Sequence, residues 1–260
     1  RNRKEGNKME NKMENKMEEI SSQRKLEALE ENGTFIRKDG KTFLQLDCEN
    51  AKELSMKWGE KLYPFTKIGK KWILELPFST AVNYVQICVD GQEVLSPELP
   101  IAHGYGRPYN YIELPDEDGL FELRDVPHGT LTQEFYKSKI SDNWEKLILY
   151  LPPCVPSAGL PVLYLQHGFG ESEISWSTTG KVNILMDNLI AAGKIKPFAI
   201  VMGNGMVKQR IDGKLKLNRA LYGQMLVEEI LPMLEKKYQF GGSKEKRGMA
   251  GLSMGSVQTT

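Results

Sequence analysis

The sequence predicts two successive folds, a small antiparallel β-sandwich and then an α/β unit built from parallel crossover units. Three observations carry this. From Gly33 to residue 115, short alternating segments recur at roughly ten-residue spacing between turn residues, and none is long enough to show helical periodicity. Beyond residue 120, continuous apolar stretches alternate with amphipathic ones, the pattern of strands covered on both faces by crossover helices. The composition, 260 residues with 40% hydrophobic and 27% charged, suits a globular chain able to bury both cores.

Residues 7–18 repeat Asn-Lys-Met-Glu three times. On a helix, Met9, Met13, Met17 and Ile20 form a narrow apolar stripe, but Lys8, Lys12 and Lys16 stack like on like, as do Glu10, Glu14 and Glu18. Residues 1–31 therefore read as a low-complexity charged leader. Over 32–115, strands are expected at Thr34–Arg37, Thr42–Leu46, Lys71–Leu76, Tyr84–Val89 and Glu93–Leu95. The turns between them fall at Lys38-Asp39-Gly40, Ile68-Gly69-Lys70 and Asp90-Gly91, the last a strong hairpin signal. Pro100, Pro108 and Pro115 mark a stretched exit toward the second unit, 116–260. There, Leu147–Leu151, Pro161–Gln166, Phe198–Met202 and Lys246–Gly251 read as strands, and Val182–Ala192 and Ala220–Tyr238 as helices. Pro232 should kink or break the longer helix near Ile230–Leu231.

Composition also excludes function classes. Lys+Arg 35 against Asp+Glu 34 leaves a net charge of +1, so no global field recruits nucleic acid, although a local patch is compatible with it. Cys48, Cys88 and Cys154 lack metal-ligand spacing and read as idle thiols, though one disulfide is allowed. The longest apolar runs are far shorter than the ~18 residues of a membrane span, and the charged N-terminus has no apolar signal core.

Two motifs carry chemistry. Gly251-Leu252-Ser253-Met254-Gly255 is a G-x-S-x-G, preceded by an apolar strand and followed by residues able to open a helix, the setting of a nucleophile elbow. Ser253 is the candidate nucleophile, and the Met254 N–H at the helix start a candidate oxyanion donor. Upstream, an apolar strand runs into His167-Gly168-Phe169-Gly170, whose glycines allow torsions that point the Phe169 amide into a cavity as the second donor. His167 reads as a structural hydrogen-bonding residue, and His103 and His128 have no better claim as bases. The chemistry requires no metal or organic cofactor.

These segments, with Pro127-His128-Gly129, Leu147–Pro153, Trp176, Asp187-Asn188-Leu189-Ile190, Lys196–Asn204 and Glu229-Ile230-Leu231-Pro232, resemble the esterase family of alpha/beta-hydrolases. That family contains feruloyl and acetylxylan esterases, enterochelin esterases and S-formylglutathione hydrolases, and it often has Gly where Ser256 stands. Residues 32–115, with Trp72 in a strand and Tyr84–Gly91 ending in Val-Asp-Gly, resemble the immunoglobulin-like early-set domain that commonly precedes such esterases. The resemblance implies a serine carboxylic-ester hydrolase that removes feruloyl or acetyl groups from plant polysaccharide such as xylan, in a secreted or periplasmic setting. A siderophore-ester hydrolase and a non-catalytic glycan-binding protein are the alternatives. Trp58, Trp72 and Tyr84 are expected to pack in the core rather than stack on sugar. In alpha/beta-hydrolases the acid and the histidine follow the serine, and Met254–Thr260 contain neither. The chain is therefore expected to be a fragment of a longer esterase, inactive and poorly soluble as it stands, with its final strand an exposed edge.

Overall fold

The computed structural model describes residues 33–115 and 118–259; the leader expected over 1–31 lies outside them. The chain packs as two compact units. One runs to Ala102 and takes in Pro108–Leu114; the other comprises His103–Arg107 and everything from Pro115 onward.

The first unit contains β1 (Phe35–Lys38), β2 (Lys41–Asp47), β3 (Leu54–Trp58), β4 (Lys61–Pro64), β5 (Thr66–Ile68), β6 (Lys71–Glu75), β7 (Ala81–Val89) and β8 (Gln92–Val94), with β9 (Ile101–Gly104) up to Ala102 and β10 (Arg107–Leu114) from Pro108. One sheet is ordered β1-β2-β6-β5 and the other β4-β3-β7-β10-β9, with β8 on β7. Leu44, Leu46, Trp72 and Leu74 from the first meet Leu54, Met56, Ile87 and Ile112 from the second in one apolar core, so the unit is a two-layer sandwich. The β7–β8 hairpin turns through Asp90 and Gly91 at φ 50° and 80°, the mirror-image turn whose twist suits antiparallel strands.

The stretch from Pro100 to Pro115, expected as an extended exit, is instead β9 and β10. β10 tolerates Pro108 because its register with β7 begins only at Asn110. Trp72 is buried and donates Nε1–H to Cys48 O at 2.9 Å, while the Trp58 ring lies 5.0 Å from Phe78. Both tryptophans therefore pack with the core. Tyr84 is half-buried, 5.9 Å from the Tyr109 ring. All three cysteines are free.

The second unit contains β11 (Thr130–Lys137), β12 (Trp144–Leu151), β13 (Val162–Gln166), β14 (Ala199–Gly203), a separate hairpin of β15 (Lys208–Ile211) and β16 (Lys214–Leu217), and β17 (Arg247–Gly251). Its helices are α1 (Ser175–Thr178), α2 (Val182–Ala191), α3 (Leu221–Met225), α4 (Leu231–Tyr238) and α5 (Met254–Gln258). The main sheet is ordered β11-β12-β14-β13-β17. β14 and β17 run parallel to β13, but β11 and β12 are antiparallel, so the sheet is mixed rather than wholly parallel.

Alternate residues of the central strands face opposite cores. Leu147, Leu149, Val162, Tyr164, Ala199 and Val201 meet Tyr222, Met225, Leu226, Ile230 and Leu234 on one side. Ile148, Tyr150, Leu165, Ile200 and Met202 meet Val182, Met186 and Trp176 on the other. This double burial makes the strands read as continuous apolar runs. The long helix is not sharply broken at Pro232. A π-helical turn, Leu226–Ile230, links α3 to α4 and widens the backbone where proline cannot donate to the preceding turn. No helix among the described residues is long and apolar enough to cross a membrane.

Candidate active site

β13 has β14 on one side and β17 on the other, so the strand order reverses around its carboxyl end. In open α/β sheets this switch point is where a crevice opens for ligands. Both chemical motifs lie there, one following β13 and the other following β17.

The elbow is set by collision geometry. Ser253 adopts φ 52°, ψ −111°, a strained conformation for a side-chain-bearing residue, between the end of β17 and the start of α5. A Cβ on Gly251 would lie 2.3 Å from the Gly255 carbonyl carbon, and one on Gly255 would lie 2.6 Å from the Gln166 oxygen. Glycine is thus required on both sides of the serine. Leu252 N–H donates to Gln166 O at 3.2 Å, and Gly255 N–H to Leu252 O at 2.8 Å, which pins the turn over β13. Ser253 is exposed, and its hydroxyl has no hydrogen-bond partner among the described residues.

The loop after β13 is held by side chains. Glu171 Oε2 accepts the Gly168 N–H at 2.8 Å, and the Gly170 N–H points at Met206 Sδ at 3.5 Å. Tyr105 N–H donates to Phe169 O at 2.9 Å. Gly170, at φ 77°, could carry no side chain, since a Cβ would sit 1.8 Å from Gly106 N. Of the three successive amides, only that of Phe169 has no acceptor among the described residues, and the Met254 amide at the start of α5 likewise has none. One of these N–H groups follows β13 and the other directly follows Ser253, and donors with unspent capacity are what binding a developing oxyanion requires.

The histidines divide cleanly. His167 is buried; its Nε2 accepts Gly205 N–H at 3.0 Å, which leaves Nδ1–H to donate to Gly168 O at 2.8 Å. Both ring nitrogens are spent on structure. His128 lies between two acceptors, Asp187 Oδ2 and Arg124 O, each at 3.0 Å. Buried Asp187 also receives the Tyr150 hydroxyl at 2.6 Å and the Gly129 N–H at 3.0 Å. Burial first, and then Asp187, pushes the Tyr150 phenol far above its usual range, so it remains a donor. Neither histidine contacts Ser253.

Several site residues have no local signature. Gln166 Nε2 donates to the Tyr222 hydroxyl, anchoring the floor beneath the elbow. Gln258 of α5 donates to Gly205 O at 3.1 Å and Arg219 O at 3.3 Å, and the Arg219 guanidinium lies 5.4 Å from the centre of the Phe169 ring. Gly205 is bonded to His167, so contacts run from α5 through Gly205 and Arg219 to the Phe169 loop. These pairings span 38 to 56 residues, beyond the reach of any motif.

Comparison with known proteins bears on the fold and on the family the chain is similar to. The model of the Esterase family matches residues 138–258. The likeness is to esterases. A protein of Xylanibacter ruminicola named endo-1,4-beta-xylanase/feruloyl esterase is 34% identical over 194 residues, covering 71% of this chain and 27% of its own length. The chain thus spans about a quarter of that relative. Among solved structures, the enterobactin esterase of Shigella flexneri superposes with a TM-score of 0.62 at 12% identity, covering 86% of this chain and 68% of that one. A ferulic acid esterase of Anaeromyces mucronatus gives 0.50 at 21% identity, covering 55% and 56%. Both support an alpha/beta-hydrolase-like fold.

Proposed function

We propose that this chain carries the nucleophile and oxyanion hole of a serine carboxylic-ester hydrolase that removes feruloyl or acetyl groups from plant polysaccharide. The observation that carries the reading is Ser253, strained and exposed at the switch point, beside two amides without acceptors. Ser253 Oγ attacks the acyl carbonyl while a general base takes its proton, and the Phe169 and Met254 amides receive the charge of the tetrahedral oxygen; the sugar alcohol then leaves with that proton, and water hydrolyses the acyl-enzyme to release the acid and restore Ser253. His128 and His167 are assigned no proton transfer, because their ring nitrogens are already engaged. The preceding sandwich is read as an immunoglobulin-like accessory domain, on the strength of its two antiparallel sheets around one core.

The feruloyl preference is supported by the name of the 34%-identical relative. A second reading, hydrolysis of a siderophore ester, is favoured by the enterobactin esterase likeness, which extends over both units. The test is to react the intact gene product with a fluorophosphonate and locate the adduct, then to assay methyl ferulate, acetylated xylan and a catecholate triester. Labelling at Ser253 with turnover of the first two is expected. Labelling elsewhere overturns the nucleophile; turnover of the triester alone selects the second reading.

A further inference from the structure

The β15–β16 hairpin follows β14, whose carboxyl end lies at the same end of the sheet as those of β13 and β17, which lead to Phe169 and Ser253, and its charge is unlike that of the rest of the chain. Lys208, Arg210, Lys214, Lys216 and the adjoining Arg219 face a single acid, Asp212. These thirteen residues, 207–219, therefore carry +4 in a chain of net charge +1, leaving −3 for everything else. Lys208, Lys214 and Lys216 are exposed, and among the described residues none of them is ion-paired.

The hairpin is firmly rooted. Val207 is buried in the core beneath it, Asn218 N–H donates to Val207 O at 2.8 Å, and Asn143 Nδ2 donates to Lys208 O at 2.7 Å. Its register pairs Lys208 with Leu217, Arg210 with Leu215, Gln209 with Lys216 and Ile211 with Lys214. Opposed residues share a face, so each face carries two cations beside exposed apolar side chains. Two residues beyond the hairpin, Arg219 stacks on Phe169. Positive charge therefore continues from the hairpin to the lip of the oxyanion loop.

We infer that this hairpin is a docking arm for an anionic polysaccharide, a chain bearing uronic acid carboxylates, whose esters it brings to Ser253. A surface field of one sign concentrates an oppositely charged polymer, and apolar patches between the cations cover sugar faces. The charge complements nucleic acid as well, but residues 207–219 contain no aromatic side chain on which bases could stack. The ester-bearing substrate rests on the esterase reading; the cationic surface does not.

The probe is glucuronic-acid-substituted xylan, with neutral arabinoxylan and a single-stranded oligonucleotide for comparison, read by affinity electrophoresis of the intact gene product. Retardation by the acidic xylan is expected to exceed that by the neutral one, and to fade as salt rises from about 0.05 M to about 0.5 M. The triple variant Lys208→Gln, Lys214→Gln, Lys216→Gln should bind roughly tenfold more weakly, within the range such surface fields command. Removing three lysines of the first unit (Lys52, Lys61 and Lys70) should change nothing. Equal retardation in both xylans, an unaffected triple variant, or tighter binding of the oligonucleotide overturns the proposal. If Ser253 proves unreactive while the retardation stands, the arm is retained and only the esterase reading falls.

Discussion

The two turns that frame the site achieve similar ends by different physical means. The elbow around Ser253 is shaped by backbone against backbone: Gly251 and Gly255 approach each other and the end of β13 too closely for any Cβ. The loop through Phe169 shares that constraint only at Gly170 and is otherwise held by side chains, with Glu171, His167 and Met206 each gripping a specific backbone group. The elbow should therefore fail abruptly under small substitutions, and the loop should yield by degrees.

The largest effect should come from the elbow's own centre. Ser253→Gly removes the nucleophile, so ester turnover should fall about 10⁴-fold or more. Because glycine accepts φ 52° without strain, the same variant should be more stable, by about 1 kcal/mol in chemical denaturation. A loss of both activity and stability would mean that the backbone there is not under strain. Gly255→Ala tests the collision directly: a methyl group 2.6 Å from a fixed carbonyl oxygen should cost about 2–4 kcal/mol and depress the melting temperature.

In the loop, Phe169→Pro deletes the N–H while Phe169→Ala keeps it. Turnover should drop on the order of 100-fold for proline and much less for alanine. Equal losses would show that the ring stacked under Arg219, rather than the amide, is what matters.

How much of this was legible in the sequence follows from the same contrast. The elbow could be read because its cause is local: two glycines, a serine, a strand before and a helix after. The double-faced strands β12, β13 and β14 were legible because the runs Leu147–Leu151, Val162–Leu165 and Ala199–Met202 are apolar whichever way each residue points. Short strands such as β4 and β5 were not, since three or four residues with at most one buried member carry no period. β10 was hidden by Pro108, which normally argues against a strand. The partners of His128 and His167 were invisible, because Asp187 and Gly205 stand 59 and 38 residues away and only the folded sheet brings them near.

The smallest expected effect lies at the edge of the same sheet. Arg247 on β17 grips Glu235 of α4 through two hydrogen bonds of 2.6 and 2.5 Å. That bond, against opposing burial, holds the Glu235 carboxyl below its ordinary value. A carboxylate so depressed stabilises the fold above its unfolded pKa and loses that contribution as pH falls through the folded one. Arg247→Leu should thus cost about 1 kcal/mol near neutrality and make stability less sensitive to acid below about pH 4.5. An unchanged acid limb in melts between about pH 3 and pH 7 would show that this pair does not couple the helix to the edge strand.

The widened turn before Pro232 settles a problem of phase. Tyr222, Leu226, Ile230 and Leu234 recur every four residues and all face the same core. On an ideal α-helix a four-residue step overshoots one full turn by about 40°, so three such steps would swing Leu234 well away from the sheet. Five residues wound more loosely take back much of that drift. They also let Leu231 open what amounts to a fresh helix, in which Pro232 occupies a first-turn position where a missing donor is harmless. One local irregularity thus keeps a straight apolar stripe on a curved path and lodges a proline where none would ordinarily fit.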